Sequence, residues 1–116
     1  MRKVFITPEA YNDLENLKDY LDFEFGVDKE KIILEAIFRD LNRLEKYPET
    51  DIKLFERFGI ITDYKCLYTQ KNYAFFRLED DSIRIIRIID ERRDFMYILF
   101  GVHMESLNSN DFWDED

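Results

Sequence analysis

The chain has 116 residues, 46% of them apolar and 16% aromatic, with three glycines, two prolines and a net charge of −9. That is the size and composition of one well-packed domain. One cysteine and one histidine exclude an internal disulfide and a zinc cluster, so no metal and no cofactor is expected. No apolar run is long enough for a signal peptide or a membrane span. A cytoplasmic setting and no membrane partner are therefore expected.

Val4-Phe5-Ile6 predicts a short strand. Thr7-Pro8-Glu9 is a helix start: threonine caps, proline suits the first helical position, and glutamate favours the positive end of the dipole. Ala10, Leu14, Leu17, Leu21 and Phe25 then form one apolar stripe, with Gly26 as the stop. Asp28 is placed to cap a second helix with the stripe Ile33, Ile37, Leu41 and Leu44, flanked by Ala36 and Phe38 and ended at Tyr47-Pro48. So short a connection predicts an antiparallel helix hairpin.

The next segments read as a three-stranded antiparallel meander over 64–68, 73–79 and 82–89, rich in Tyr, Phe and Ile. With Asp80-Asp81 as a two-residue turn, Leu78 lies opposite Ile83, Arg77 opposite Arg84 and Phe76 opposite Ile85. Phe76, Leu78, Ile83, Ile85 and Ile89 then share a face that can sit under the helices. Arg87 falls on that same apolar face, which warns against the register or points to a special role. Asp94 can cap a short helix, FMYILF, stopped by Gly101. The expected organisation is α+β: one domain over 1–104, then an acidic tail over 105–116.

The charge is unevenly distributed. Residues 1–51 carry net −5, residues 52–104 net +1, and the last twelve residues five acids and no base. Arg84, Arg87, Arg92 and Arg93 fall within ten positions along and just beyond the most apolar strand. An acidic balance argues against non-specific nucleic-acid binding. A planar, always-charged guanidinium suits an anionic ligand. Ordinary ion pairing with Asp90, Glu91 and Asp94 is the competing account of Arg92 and Arg93. For Arg84 and Arg87 it is an arginine stem covering apolar sheet.

The opening VFITPEAYNDL, the helix end LEKYPET, the run NYAFFRLEDDSIRIIRI and the signature ERRDFMYILFG together resemble the RelE/ParE superfamily, toxins of bacterial type II toxin–antitoxin modules. The resemblance spans roughly residues 3–102. It implies the fold just described and a cognate antitoxin that covers the toxin. The target stays open: RelE-like members cleave mRNA on the ribosome, whereas ParE-like members poison DNA gyrase without acting as nucleases. A non-toxic protein-binding domain on the same scaffold is a third reading.

Metal-free RNA cleavage needs a base, cations for the phosphorane and an acid for the leaving oxygen. By the resemblance, Arg92, Arg93 and Tyr97 match the catalytic positions and Lys65 lies near a basic one. Lys53, Arg57, Arg84 and Arg87 are candidates for substrate binding. The departures are Asp90-Glu91, where a basic residue is common, and Tyr73-Ala74, where RNA cleavers carry another. Whether the chain is an enzyme, a metal-independent endoribonuclease, is left open by these residues. Tyr97 has a competing place in the core of its helix, and Cys66 reads as packing.

Overall fold

The computed structural model describes residues 2–102. The order is β1 (Lys3–Ile6), α1 (Pro8–Phe25), α2 (Val27–Asn42), a 3-10 turn (Arg43–Glu45), a second 3-10 turn (Phe55–Phe58), β2 (Lys65–Thr69), β3 (Asn72–Leu78), β4 (Ser82–Asp90) and α3 (Phe95–Phe100). The sheet order is β1-β4-β3-β2, with β1 parallel to β4 and the other pairs antiparallel. This is the α+β arrangement expected: strand, helix hairpin, meander, short helix. The acidic tail and His103 lie outside the described residues.

Local chemistry explains the boundaries. The Thr7 hydroxyl accepts from the Ala10 N–H at 3.1 Å, and proline occupies the first turn of α1. Gly26, at φ 87°, ends α1 through its N–H to the Asp22 carbonyl and also begins α2. One residue thus makes the hairpin, a backbone geometry open chiefly to glycine. Asp28 is therefore not the cap of α2 but sits inside its first turn. The helix ends at Asn42, before Tyr47-Pro48, because the chain tightens into a 3-10 turn that still buries Leu44. Phe25 and Phe38, placed on the stripes, are partly exposed; Phe25 lies beneath the Lys29 ammonium, 4.8 Å from its ring centre.

The meander register matches the expectation at Leu78–Ile83, Arg77–Arg84 and Phe76–Ile85. Beyond it a bulge intervenes: Phe75 pairs with Arg87, leaving Ile86 as an extra residue. A bulge advances the side-chain alternation by one. Ile88, and not Ile89, consequently joins Ile83 and Ile85 in the core shared with Ala10, Leu14, Ile37 and Leu41. Ile89 falls into a second core with Leu54, Phe55, Cys66, Phe75, Phe95 and Met96. The sheet is buried on both faces, by α1 and α2 on one and by the second 3-10 turn with α3 on the other.

Arg87 resolves the same ambiguity. Its Nε and Nη2 donate to Asp13 of α1 at 2.7 and 3.0 Å, and the Ile88 N–H donates to the same carboxylate at 2.9 Å. β1 stops pairing at Ile85, so Asp13 satisfies a β4 donor that has lost its strand neighbour. Hydrogen bonding to Asp13 holds the Arg87 guanidinium even more firmly protonated than usual, against the opposing effect of burial.

Removing one partner of such a pair leaves the other charge buried without compensation, at a cost of about 3–5 kcal/mol when burial is complete. Asp13 is 8% exposed and Arg87 26%. Asp13→Ala should therefore lower unfolding free energy by about 2–3 kcal/mol, read from urea denaturation with an unchanged m value. Asp13→Asn, which keeps an acceptor for the Ile88 N–H, should fall between.

Candidate functional site

Residues 91–94 form the turn between β4 and α3, and both ends are pinned. Glu91 N–H donates to the Lys71 carbonyl at 3.0 Å, and Arg93 N–H to the Asp90 carbonyl at 3.0 Å. Phe95, the first residue of α3, packs against Phe55, Tyr73 and Phe75 with ring centres 5.5–6.4 Å apart. Asp94 caps α3 by accepting the Tyr97 N–H at 3.1 Å, and Gly101 closes it at φ 72°. The turn is thus a short loop held between a strand and an aromatic core.

Arg92 is gripped from within its own turn. Its Nε and Nη2 donate to the two Asp90 oxygens at 2.9 and 3.0 Å, and its backbone N–H donates to Asp90 at 2.8 Å. The hydrogen bond from Arg92 is the main reason the Asp90 carboxyl lies below its ordinary 3.8. Asp90 first, and the Tyr20 hydroxyl second, push the Arg92 guanidinium further from deprotonation. Glu91 is engaged too: its Oε2 accepts the Tyr68 hydroxyl at 2.8 Å, a bond that raises the phenol above its usual 10.0.

Three clefts of about 510, 500 and 510 Å³ border this turn; Arg92 lines all three and Arg93 the first two, while Lys29 and Lys71 line the third. The first runs against α1 through Asp13, Asn16 and Tyr20. The second runs against the 3-10 turn and includes Arg57. The structure thus brings Arg57, Arg92 and Arg93 together. Arg57 and Arg93 form no ion pair among the described residues.

The other sequence candidates lie elsewhere. Lys53 and Lys65 line a separate cleft of about 420 Å³ with Arg77 and several acids. There Lys65 Nζ stands 3.9 Å from Asp51 Oδ2. Arg84 donates to Glu79 at 2.6 Å near the β3–β4 turn and depresses that carboxyl. Arg87 is committed to Asp13. Tyr97 is half exposed, not part of the α3 core, and lines none of these clefts. Cys66 is wholly buried, and burial pushes its thiol far up, so it packs rather than reacts.

Asp13, Tyr20 and Tyr68 were not legible as parts of this region. Asp13 and Tyr20 read as polar positions of an amphipathic helix. The Asp90–Arg92 contact had a local signal, since aspartate readily bonds to the backbone two residues on.

Residues 4–95 match the family model of the ParE toxin of the type II toxin–antitoxin system parDE. The chain belongs to the ParE toxin family. A solved structure of the chromosomal ParDE toxin–antitoxin system from P. aeruginosa is similar in fold, with a TM-score of 0.62 at 19% identity, covering 78% of this chain and 96% of that one. No curated protein matches. For this ParE-family chain, among the described residues, no helix is long and apolar enough to cross a membrane.

The Asp90–Arg92 pair sets a pH dependence. A carboxyl whose folded pKa lies below its unfolded value stabilises the fold above the unfolded value, and that contribution is lost as pH falls through the folded one. Carboxyl carbon NMR of Asp90 should therefore show a midpoint below 3.8, and Arg92→Ala should move it upward. An unchanged midpoint in the variant would remove Arg92 as the cause.

Proposed function

We propose that this chain is a growth-inhibiting ParE-type toxin of the cytoplasm, held silent by a cognate antitoxin. In this reading it acts by seizing a protein target, DNA gyrase, at the Arg92–Arg93 turn, and it does not cut mRNA.

The observation that carries this reading is the state of the carboxylates around the turn. Asp13 is taken by Arg87 and the Ile88 N–H, and Asp90 by Arg92. Glu91 is taken by Tyr68, and Asp94 by the helix it caps. Among the described residues, no histidine lines any of the three clefts, and the lysines at the turn, Lys29 and Lys71, are confined to the third. Metal-free RNA cleavage needs a base free to take the 2′-hydroxyl proton and an acid opposite it. A fixed, self-neutralised turn beside exposed arginines suits recognition better than proton transfer. Membership of the ParE family supports the same choice and supports an antitoxin as partner.

Expression without a partner should arrest growth, and co-expression of the adjacent small reading frame should relieve the arrest. The purified chain should inhibit supercoiling by gyrase, and Arg92→Ala/Arg93→Ala should abolish both effects while circular dichroism stays unchanged. Ribosome-dependent cuts in transcripts, with gyrase unaffected, would replace this reading with mRNA cleavage. Full toxicity of the folded double variant would remove the turn from the mechanism.

A further inference from the structure

The two outer edges of the sheet differ. At β2 the Cys66 N–H donates to Asp51 at 3.1 Å and the Cys66 carbonyl accepts the Ile52 N–H at 2.9 Å, so a loop covers that edge. At β1 the Lys3 and Thr7 N–H groups donate inward, to the Asp81 and Ile85 carbonyls at 3.4 and 3.1 Å. Strand alternation therefore turns the N–H and C=O of Val4 and Ile6 outward. Among the described residues, none of these outward groups has a hydrogen-bond partner. Phe5, between them, is 53% exposed. Such an open edge is a template for a further strand.

We propose that two copies of the chain pair at this edge, β1 against β1 in antiparallel order about a two-fold axis at Phe5. The register follows from the residues. With Phe5 opposite Phe5, Val4 faces Ile6 of the second copy, and every outward donor and acceptor of both strands is satisfied. Sliding one ladder step one way sets Ile6 against Arg2 and Phe5 against Lys3. Sliding the other way sets Val4 against Pro8, which has no N–H to give. Only the centred register also closes the two Phe5 rings on each other, at a closely spaced pair.

Charge agrees with the antiparallel order. Arg2 and Lys3 stand at one end of β1 and Glu9 just past the other. None of the three has an ion pair among the described residues, and Arg2 holds only the Glu79 carbonyl, at 2.8 Å. Antiparallel pairing sets the basic end beside the acidic end of the second copy; parallel pairing sets like beside like. The dimer is then one continuous sheet with both helix hairpins on the same face. β1 pairs only with Ser82–Ile85, so the arginine turn beyond Asp90 stays outside the interface. The inference holds whichever macromolecule that turn engages.

Sedimentation equilibrium of the chain over a concentration series should show monomer and dimer in exchange. Phe5→Lys sets like charges opposite each other and should raise the dissociation constant roughly tenfold or more, with unchanged far-UV circular dichroism. Should that variant fail to fold, Phe5→Cys tests the register directly. Cα atoms at such a pair lie about 4.5 Å apart, within disulfide reach, so mild oxidation should link two copies. Arg84→Cys, exposed beside Phe5 on β4, should give no link, because both β1 strands lie between.

A chain that is monomeric at every concentration and gives no link overturns the proposal. So does a dimer that persists in Phe5→Lys and does not link through Phe5→Cys, which assigns the contact to another face. Hydrogen exchange supplies the last check. Val4 and Ile6 amides protected only on adding the product of the adjacent reading frame would give the edge to a strand of that partner and overturn self-pairing.

Discussion

The carboxylate of Asp13 holds the fold in phase. β1 covers only the first half of β4, and where it stops the outer edge of β4 would present a bare backbone donor. Asp13 accepts that donor and two guanidinium hydrogens at once. A carboxylate with two or three good donors is stable even when largely removed from water. Without it, Arg87 would keep only the more distant charge of Glu9, and the Ile88 N–H would lose its acceptor.

The bulge in β4 is what allows two cores from one short sheet. Past Ile86 the alternation inverts, so Ile88 meets the helices while Ile89 and Phe75 meet the aromatic cluster on the other face. The cluster holds α3 and the Phe55–Phe58 turn against the sheet. It thereby fixes the loop of Arg92 and Arg93 on rigid elements at both ends. Arg57 reaches the same cleft because its 3-10 turn is held in place by Phe55 and Phe58. The loop of Arg92 and Arg93 is thus tied to the same sheet whose β4 edge Asp13 completes.

Much of this was readable in the residues, and the rest was hidden for physical reasons. The helix stripes through Leu14 and Leu21, and through Ile37, Leu41 and Leu44, announced the buried faces because a 3.6-residue period has few competitors. The Asp80-Asp81 turn fixed the hairpin register because two residues leave little freedom. The bulge was silent: in Arg-Ile-Ile-Arg-Ile-Ile any isoleucine can face either core, so hydropathy carries no phase. The other hairpin bends through Gln70 and Lys71, both at positive φ, where glycine or asparagine would have signalled the turn. The arginine turn could be located from its motif, yet which guanidiniums stay available could not. Asp13 lies 74 residues from Arg87, and tertiary packing alone sets that pairing. Likewise Arg57 read as a neighbour of Lys53, but the 3-10 turn carries it to Arg93 and leaves Lys53 with Lys65.

Charge bookkeeping decides what kind of partner the turn can hold. Each phosphate neutralised on duplex DNA contributes about 0.9 to the salt slope of binding, and tight non-specific binders neutralise roughly six to ten. Among the described arginines of this cleft, Arg57 and Arg93 lack an internal carboxylate partner, while Arg92 is already neutralised by Asp90. Two such contacts on a chain of net charge −9 cannot hold a nucleic acid by electrostatics alone. The apolar base changes the balance. Burying one aromatic side chain of about 150–250 Å² stabilises a complex by about 4–6 kcal/mol before the cost of ordering. The rim above it carries both signs of charge, Arg57, Arg92 and Arg93 with Glu91 and Asp94, so it favours a segment whose charges match that pattern. Under the proposed function, a protein segment with an aromatic anchor therefore fits this surface better than a nucleic acid does.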